Sequence, residues 1–313
     1  MTARSLRTAA ICLVALAPVP RVDDARAQQV ADSLFSPRIE SPAYPTEHGP
    51  VVLLDEAHHN FHTSGGRFFA FAKTLRRDGY IVRPLRASVT RAALDSARVF
   101  VISNALHAQN EEDWFLPTPS AFTDDEIAAV KAWVEDGGSL FLIADHMPFP
   151  GAVEKLARVF GVLFANGFAL NADEESGRMT YRRRDGSLAD HPITRGRNRA
   201  ERVDSLVTFT GQAFWLEGRG DPLLRLARDA VLLMPEEAWM FSKRTPRLSA
   251  SGTLQGAALR VGKGRVAVFG EAAMFSAQVS GPQRAPMGMN DPTAGQNPQF
   301  LLNVVHWLSG VLK

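Results

Sequence analysis

Residues 137–152, Gly137-Gly138-Ser139-Leu140-Phe141-Leu142-Ile143-Ala144-Asp145-His146-Met147-Pro148-Phe149-Pro150-Gly151-Ala152, decide how the chain is read. Two glycines end a helix and open the apolar run 140–144. A run this short, bounded by Gly and Pro, predicts a strand buried on both faces. The character then changes to an acid, a histidine and prolines. Val153, Leu156, Ala157 and Phe160 follow at helical spacing. Strand, polar turn, helix is the place where α/β proteins put their chemistry, at the carboxyl end of a central strand. The stretch locates a site without naming a reaction.

Outward from it the alternation continues. Upstream, Thr123 and Glu126 form a capping box, and Ile127, Val130 and Val134 give that helix its buried side. Strands are predicted over 51–54, 80–83 and 99–103, with a helix over 67–77 stopped by Gly79. Downstream, a polar hairpin is predicted over 179–188 around Asp185-Gly186. Another spans 254–269 around Gly262-Lys263-Gly264. Residues 280–297 lack a period and predict a long loop, and Asn297-Pro298 starts the last helix, which runs through Trp307. The expectation is an α/β domain over 50–313: a flavodoxin-like, mostly parallel sheet with helices on both faces and a hairpin-containing insertion.

The first 27 residues carry the marks of a secretory signal. Arg4 and Arg7 make a basic start, 9–16 are apolar but too short to span a bilayer, and Ala25-Arg26-Ala27 is a small-x-small cleavage site. The expected location is periplasmic or extracellular, with no stable membrane anchor after cleavage. Residues 28–49, rich in proline, predict a linker. Cys12 is the only cysteine in the chain, so a mature protein would be held by its core rather than by disulfides. Removing the leader lowers the formal charge from +2 to zero, so neither nucleic acid nor another polyanion is implied as a partner.

Three polar clusters follow predicted strands: Asp55-Glu56-Ala57-His58-His59-Asn60-Phe61-His62, Asp145-His146, and Glu271. In a parallel sheet all three turns lie at one edge and can share a crevice. Carboxylates and imidazoles brought together there suit a divalent metal, or a division of general acid and base roles. Asp145, His146 and Glu271 are the catalytic candidates. Asp55, Glu56, His58, His59, Asn60 and His62 are the ligand-binding ones, and a divalent metal is the candidate cofactor. The bland alternative gives Asp55 and Asp145 helix-capping roles, with the other charges solvated. Asp55-Glu56-Ala57-His58 spells a helicase box, but no phosphate-binding G-x-x-x-x-G-K-[ST] loop accompanies it. Neither G-x-S-x-G nor H-E-x-x-H occurs.

Residues 52–60, the span from Trp133-Val134 to Phe149, and 264–272 together resemble the class I glutamine amidotransferase-like superfamily. Within it they are similar to a bacterial branch of unknown function. The resemblance covers roughly residues 50–310. It implies a flavodoxin-like sheet with a nucleophile elbow, Asp145 standing where the amidotransferases have cysteine and Glu271 near their later partners. Without a cysteine after residue 27, thiolate glutaminase chemistry is excluded. Two functions follow as expectations: an exported hydrolase, metal-assisted or not, or a non-catalytic module that binds a small molecule such as a sugar, a peptide or an envelope component.

Overall fold

The computed structural model describes residues 29–172 and 177–313. The leader predicted over 1–27 lies outside them. The run 140–144 forms the strand Ser139–Ile143, and every residue of it is buried. It stands mid-sheet between Val99–Ser103 and Gly264–Phe269, parallel to both. Val51–Asp55 and Ile81–Leu85 extend the parallel side, giving five strands whose carboxyl ends share one edge. Val and Ile, stiff at χ1, suit such strands.

Both faces of this sheet are covered, which is why its strands read as continuous apolar runs. Val52, Leu54, Phe141 and Ile143 pack on one side with Phe71 and Leu75 of the helix Phe69–Arg77 and with Phe300, Leu301 and Val304 of Asn297–Ser309. Leu53, Leu140 and Leu142 pack on the other with Ile127, Val130 and Val134 of Asp124–Glu135 and with Val153 and Leu156 of Phe149–Arg158. The Thr123 capping box is present: the Thr123 hydroxyl accepts from the Glu126 amide, and Glu126 accepts from the Thr123 amide at 3.0 Å.

The expectation of a flavodoxin-like, mostly parallel architecture is corrected here. Beyond Gly264–Phe269 the sheet turns antiparallel, through Leu254–Val261 to Phe214–Leu216 and Val162–Phe164, with Asp221–Arg225 also on Leu254–Val261. Three smaller antiparallel sheets complete the fold. Several of these strands are three residues long, too short for hydrophobic alternation to register in sequence. The hairpin predicted over 179–188 is also corrected. Met179–Arg182 pairs with Ser205–Thr208, and Asp185-Gly186 closes a single 3₁₀ turn. The 28–49 stretch is not only a linker, since Gln29–Ala31 pairs with Ala277–Ser280. The predicted 280–297 loop contains Ala285–Gly288, which pairs with the same strand from the other side. This small sheet leans over the carboxyl edge of the large one.

Candidate functional site

At that edge a cleft opens between the turns after Val51–Asp55, Val99–Ser103, Ser139–Ile143 and Gly264–Phe269, closed on one side by the small sheet. Its polar floor is Asp145, His146, Glu271, His62 and Asn104, and its walls are Phe61, Trp114, Phe149, Phe209 and Trp239. Among the described residues, no lysine or arginine lines it. A mostly apolar concavity with a few convergent polar groups is the usual form of a small-molecule site.

Asp145 and Glu271 end adjacent parallel strands, so the register of the sheet brings them together. Both are buried. Burial pushes the Asp145 carboxyl up to about 7 from its ordinary 3.8, against the opposing hydrogen bond from the His146 amide at 2.8 Å. Burial also raises Glu271, and the Asp145 charge raises it further. The main-chain amides of Met274, Phe209 and Thr210 oppose that rise, Met274 donating to the Glu271 carboxyl at 2.7 Å and Phe209 at 3.3 Å; the Ala273 amide donates to it as well, at 3.0 Å. Two interacting carboxyls in a desolvated site titrate as a pair, and here the pair keeps a proton into the neutral range. Gly211 makes room for this arrangement: a Cβ there would strike the Gly270 carbonyl and crowd Glu271.

His146 has the opposite shift. Burial brings its imidazole down to about 4 from 6.5, so the ring is neutral at physiological pH. Nδ1–H donates to the Met147 carbonyl at 2.7 Å, which leaves Nε2 with the lone pair. The ring stacks on Phe168 at 4.6 Å and meets Trp239 edge-on at 4.7 Å. His62 is likewise neutral, depressed by burial and then by Arg67 and His146. It pairs with the Ser103 hydroxyl at 3.0 Å and stacks on Phe68. Asn104 pins the floor. It sits at φ 47°, a left-handed conformation that asparagine tolerates, and its side-chain oxygen accepts from the Asp145 amide at 2.9 Å. Its carbonyl accepts from the Phe61 amide, which fixes one aromatic wall.

No protein-family model and no curated protein matches the sequence. In fold, the chain is similar to an IFT52 N-terminal domain. That domain has 14% identity and a TM-score of 0.56, over 83% of this chain and 97% of the domain. A cytoplasmic protein from Salmonella typhimurium has a TM-score of 0.49 at 15% identity, covering 82% of this chain and 98% of that one. A ThuA-like protein from Bacteroides uniformis has 0.48 at 13%, covering 87% and 94%. The mixed sheet and the likeness in fold to the IFT52 N-terminal domain correct the resemblance to the class I glutamine amidotransferase-like superfamily, and the flavodoxin-like elbow it implied is not the frame of this site.

Of the residues singled out in the sequence, Asp145, His146, Glu271 and His62 line the cleft. Asp55, Glu56, His58, His59 and Asn60 do not. Asp55 accepts from His58 Nδ1 at 2.9 Å and from Asn60 Nδ2 at 3.0 Å, and His58 Nε2 donates to Glu126 at 3.2 Å. Glu56 accepts from the Ser64 amide and hydroxyl and from Arg86. His59 pairs at the surface with Glu111. Neither Asp55 nor Asp145 caps a helix: Pro148 precedes Phe149–Arg158 without a side-chain cap. Among the described residues, no group of three or more His, Cys, Asp or Glu is arranged to hold a metal ion. The sequence reading missed Asn104, Trp114, Phe209, Trp239, Gln29 and Gln278. Asn104, directly after a buried strand, carried a usable signal; the others sit in segments without period.

Proposed function

We propose that the protein is a general acid–base enzyme acting on a small uncharged molecule in this cleft, with hydrolysis the reaction class it serves most directly. The observation that carries the reading is the buried Asp145–Glu271 pair beside a neutral imidazole. A carboxyl still protonated near pH 7 can give its proton to a leaving group, and an unprotonated Nε2 can take one from water. Proton donor and acceptor coexist at one pH because burial moves the two kinds of group in opposite directions. The aromatic walls supply apolar contact to the ligand, and the lack of lining cations disfavours an anion. Export, on the strength of the 1–27 leader, belongs to the same proposal.

Carbon-detected NMR titration of Asp and Glu carboxyls tests the reading directly. One carboxyl titrating between about pH 6 and 8 is expected, lost in Asp145→Asn, with the Glu271 titration moving down in that variant. Both acids titrating below pH 5 would remove the proton donor and with it the mechanism. Wild-type protein that binds a ligand but turns over no neutral p-nitrophenyl ester or glycoside would be a non-catalytic binder.

A further inference from the structure

The small sheet over the cleft contributes Gln29, Gln278 and Met287, none of which the acid–base machinery uses, and Gln278 stands apart from the other two. Gln278, in the strand Ala277–Ser280, lines the cleft and is 1% exposed. Its Nε2 donates to the Ser276 hydroxyl at 2.8 Å. Ser276 in turn donates its only hydroxyl hydrogen to the Ala273 carbonyl at 3.0 Å. The amide orientation follows from the count of bonds: with the nitrogen of Gln278 toward Ser276 and the oxygen away, both bonds form, whereas the flipped amide keeps one. Among the described residues, Oε1 is buried and has no hydrogen-bond partner.

A buried acceptor without a donor is costly, and proteins rarely leave one without reason. The backbone at Gln278 is tied on both sides. Gln278 is paired through Ala31 on one side and Met287 on the other. Its carbonyl accepts from Asn290 Nδ2 at 2.9 Å, and the Asn290 amide also donates to Asp32 at 3.1 Å. The backbone that carries the amide is therefore held in part by the strand Gln29–Ala31, whose Gln29 lines the same cleft.

We propose that Gln278 is a specificity-determining residue of the cleft, its side-chain oxygen accepting a hydrogen bond from a hydroxyl or amine of the ligand and turning away carboxylates and phosphates. This deepens the acid–base reading and rests on the same cleft, but it assigns Gln278 to recognition only. An acceptor with no donor beside it attracts O–H and N–H groups and repels anionic oxygens. It acts in the same sense as the absence of lining cations.

The Gln278→Met variant keeps the length of the side chain and removes both polar ends. If Oε1 is kept unpaired for a ligand, the apo protein should melt at or above the wild-type temperature, because the variant deletes an unsatisfied acceptor and leaves Ser276 bonded to Ala273. A fall of more than about 3 °C, roughly what 1 kcal/mol moves in a domain of this size, would show a structural amide and overturn the proposal. Crystals of the wild-type protein soaked in glycerol and in formate give the second measurement. A glycerol hydroxyl or a water within about 3.2 Å of Oε1, with formate not bound there, is the expected result. A protein donor on Oε1, or formate seated against it, would overturn the assignment. Failure of the carboxyl titration leaves both measurements standing, so the two ideas fall separately.

Discussion

Two histidines beside acids lie at the same edge of the sheet, and the molecule treats them oppositely. His58 sits between Asp55 and Glu126, donating from both ring nitrogens, its ring packed at a tilt on Phe122 with centroids 4.0 Å apart. Burial alone would lower its pKa, but the two carboxylates outweigh it and the net shift is upward. Glu126 is lowered, since the Thr123 and Val89 amides and His58 all favour its charge over the cost of burial. His146, the residue after Asp145, donates instead to a carbonyl, and the acid beside it is paired with another acid rather than with a cation. In the first cluster the charges complete one another and close the 55–60 turn. In the second they are left uncompensated around a cleft. Perturbed groups that destabilise the fold where a ligand can reach them are the mark of a working site, and satisfied ones are the mark of a clasp.

Breaking the clasp should have the largest effect. His58→Ala strands two buried carboxylates and is expected to cost about 3–5 kcal/mol in denaturant titration, with the carboxyl titration of the cleft unchanged. Because the folded pKa of His58 lies above 6.5, its stabilisation is complete below that pH and is lost as the pH rises through the folded value. A loss under about 1 kcal/mol would mean the clasp holds nothing.

Asp145→Asn should do the reverse. The folded carboxyl, raised to about 7, binds its proton more tightly than in the unfolded chain, so the wild-type protein loses stability as the pH climbs from 4 to 7. The variant does not, and it should be more stable by about 2–4 kcal/mol at pH 8 and equal at pH 4. A variant less stable than wild type at pH 8 would place Asp145 with Asp55, among the structural acids.

His146→Gln sharpens the contrast on the acid side. With its folded value down at about 4, His146 stabilises above pH 6.5 and that contribution is lost as the pH falls. The variant should lack about 2–3 kcal/mol of the wild-type loss between pH 6.5 and 4, read from melting curves across that range. A parallel pH dependence of the two proteins would mean that His146 is not buried neutral.

The smallest change is expected at His59, whose pairing with Glu111 is at the surface. His59→Ala should stay within about 0.5 kcal/mol at every pH. A larger loss would show that the whole 55–62 turn acts as one unit.

The residues themselves determined more than the architecture built from them. Buried parallel strands announce themselves because both faces are apolar, so the 139–143 run and its neighbours were legible, and with them the edge at which Asp145 and Glu271 meet. The capping box was legible because it is local. What sequence could not decide is which of several equivalent acids and histidines turns inward. Asp55 and Asp145 each end a buried strand, yet one finds His58 three residues on and the other faces Glu271, more than a hundred residues away. The antiparallel strands that make the sheet mixed, the aromatic walls from Trp114 to Trp239, and the strand Gln29–Ala31 over the cleft are likewise products of long-range pairing. Periodicity records how a segment divides between core and water; it carries no information on which distant segment fills the other side.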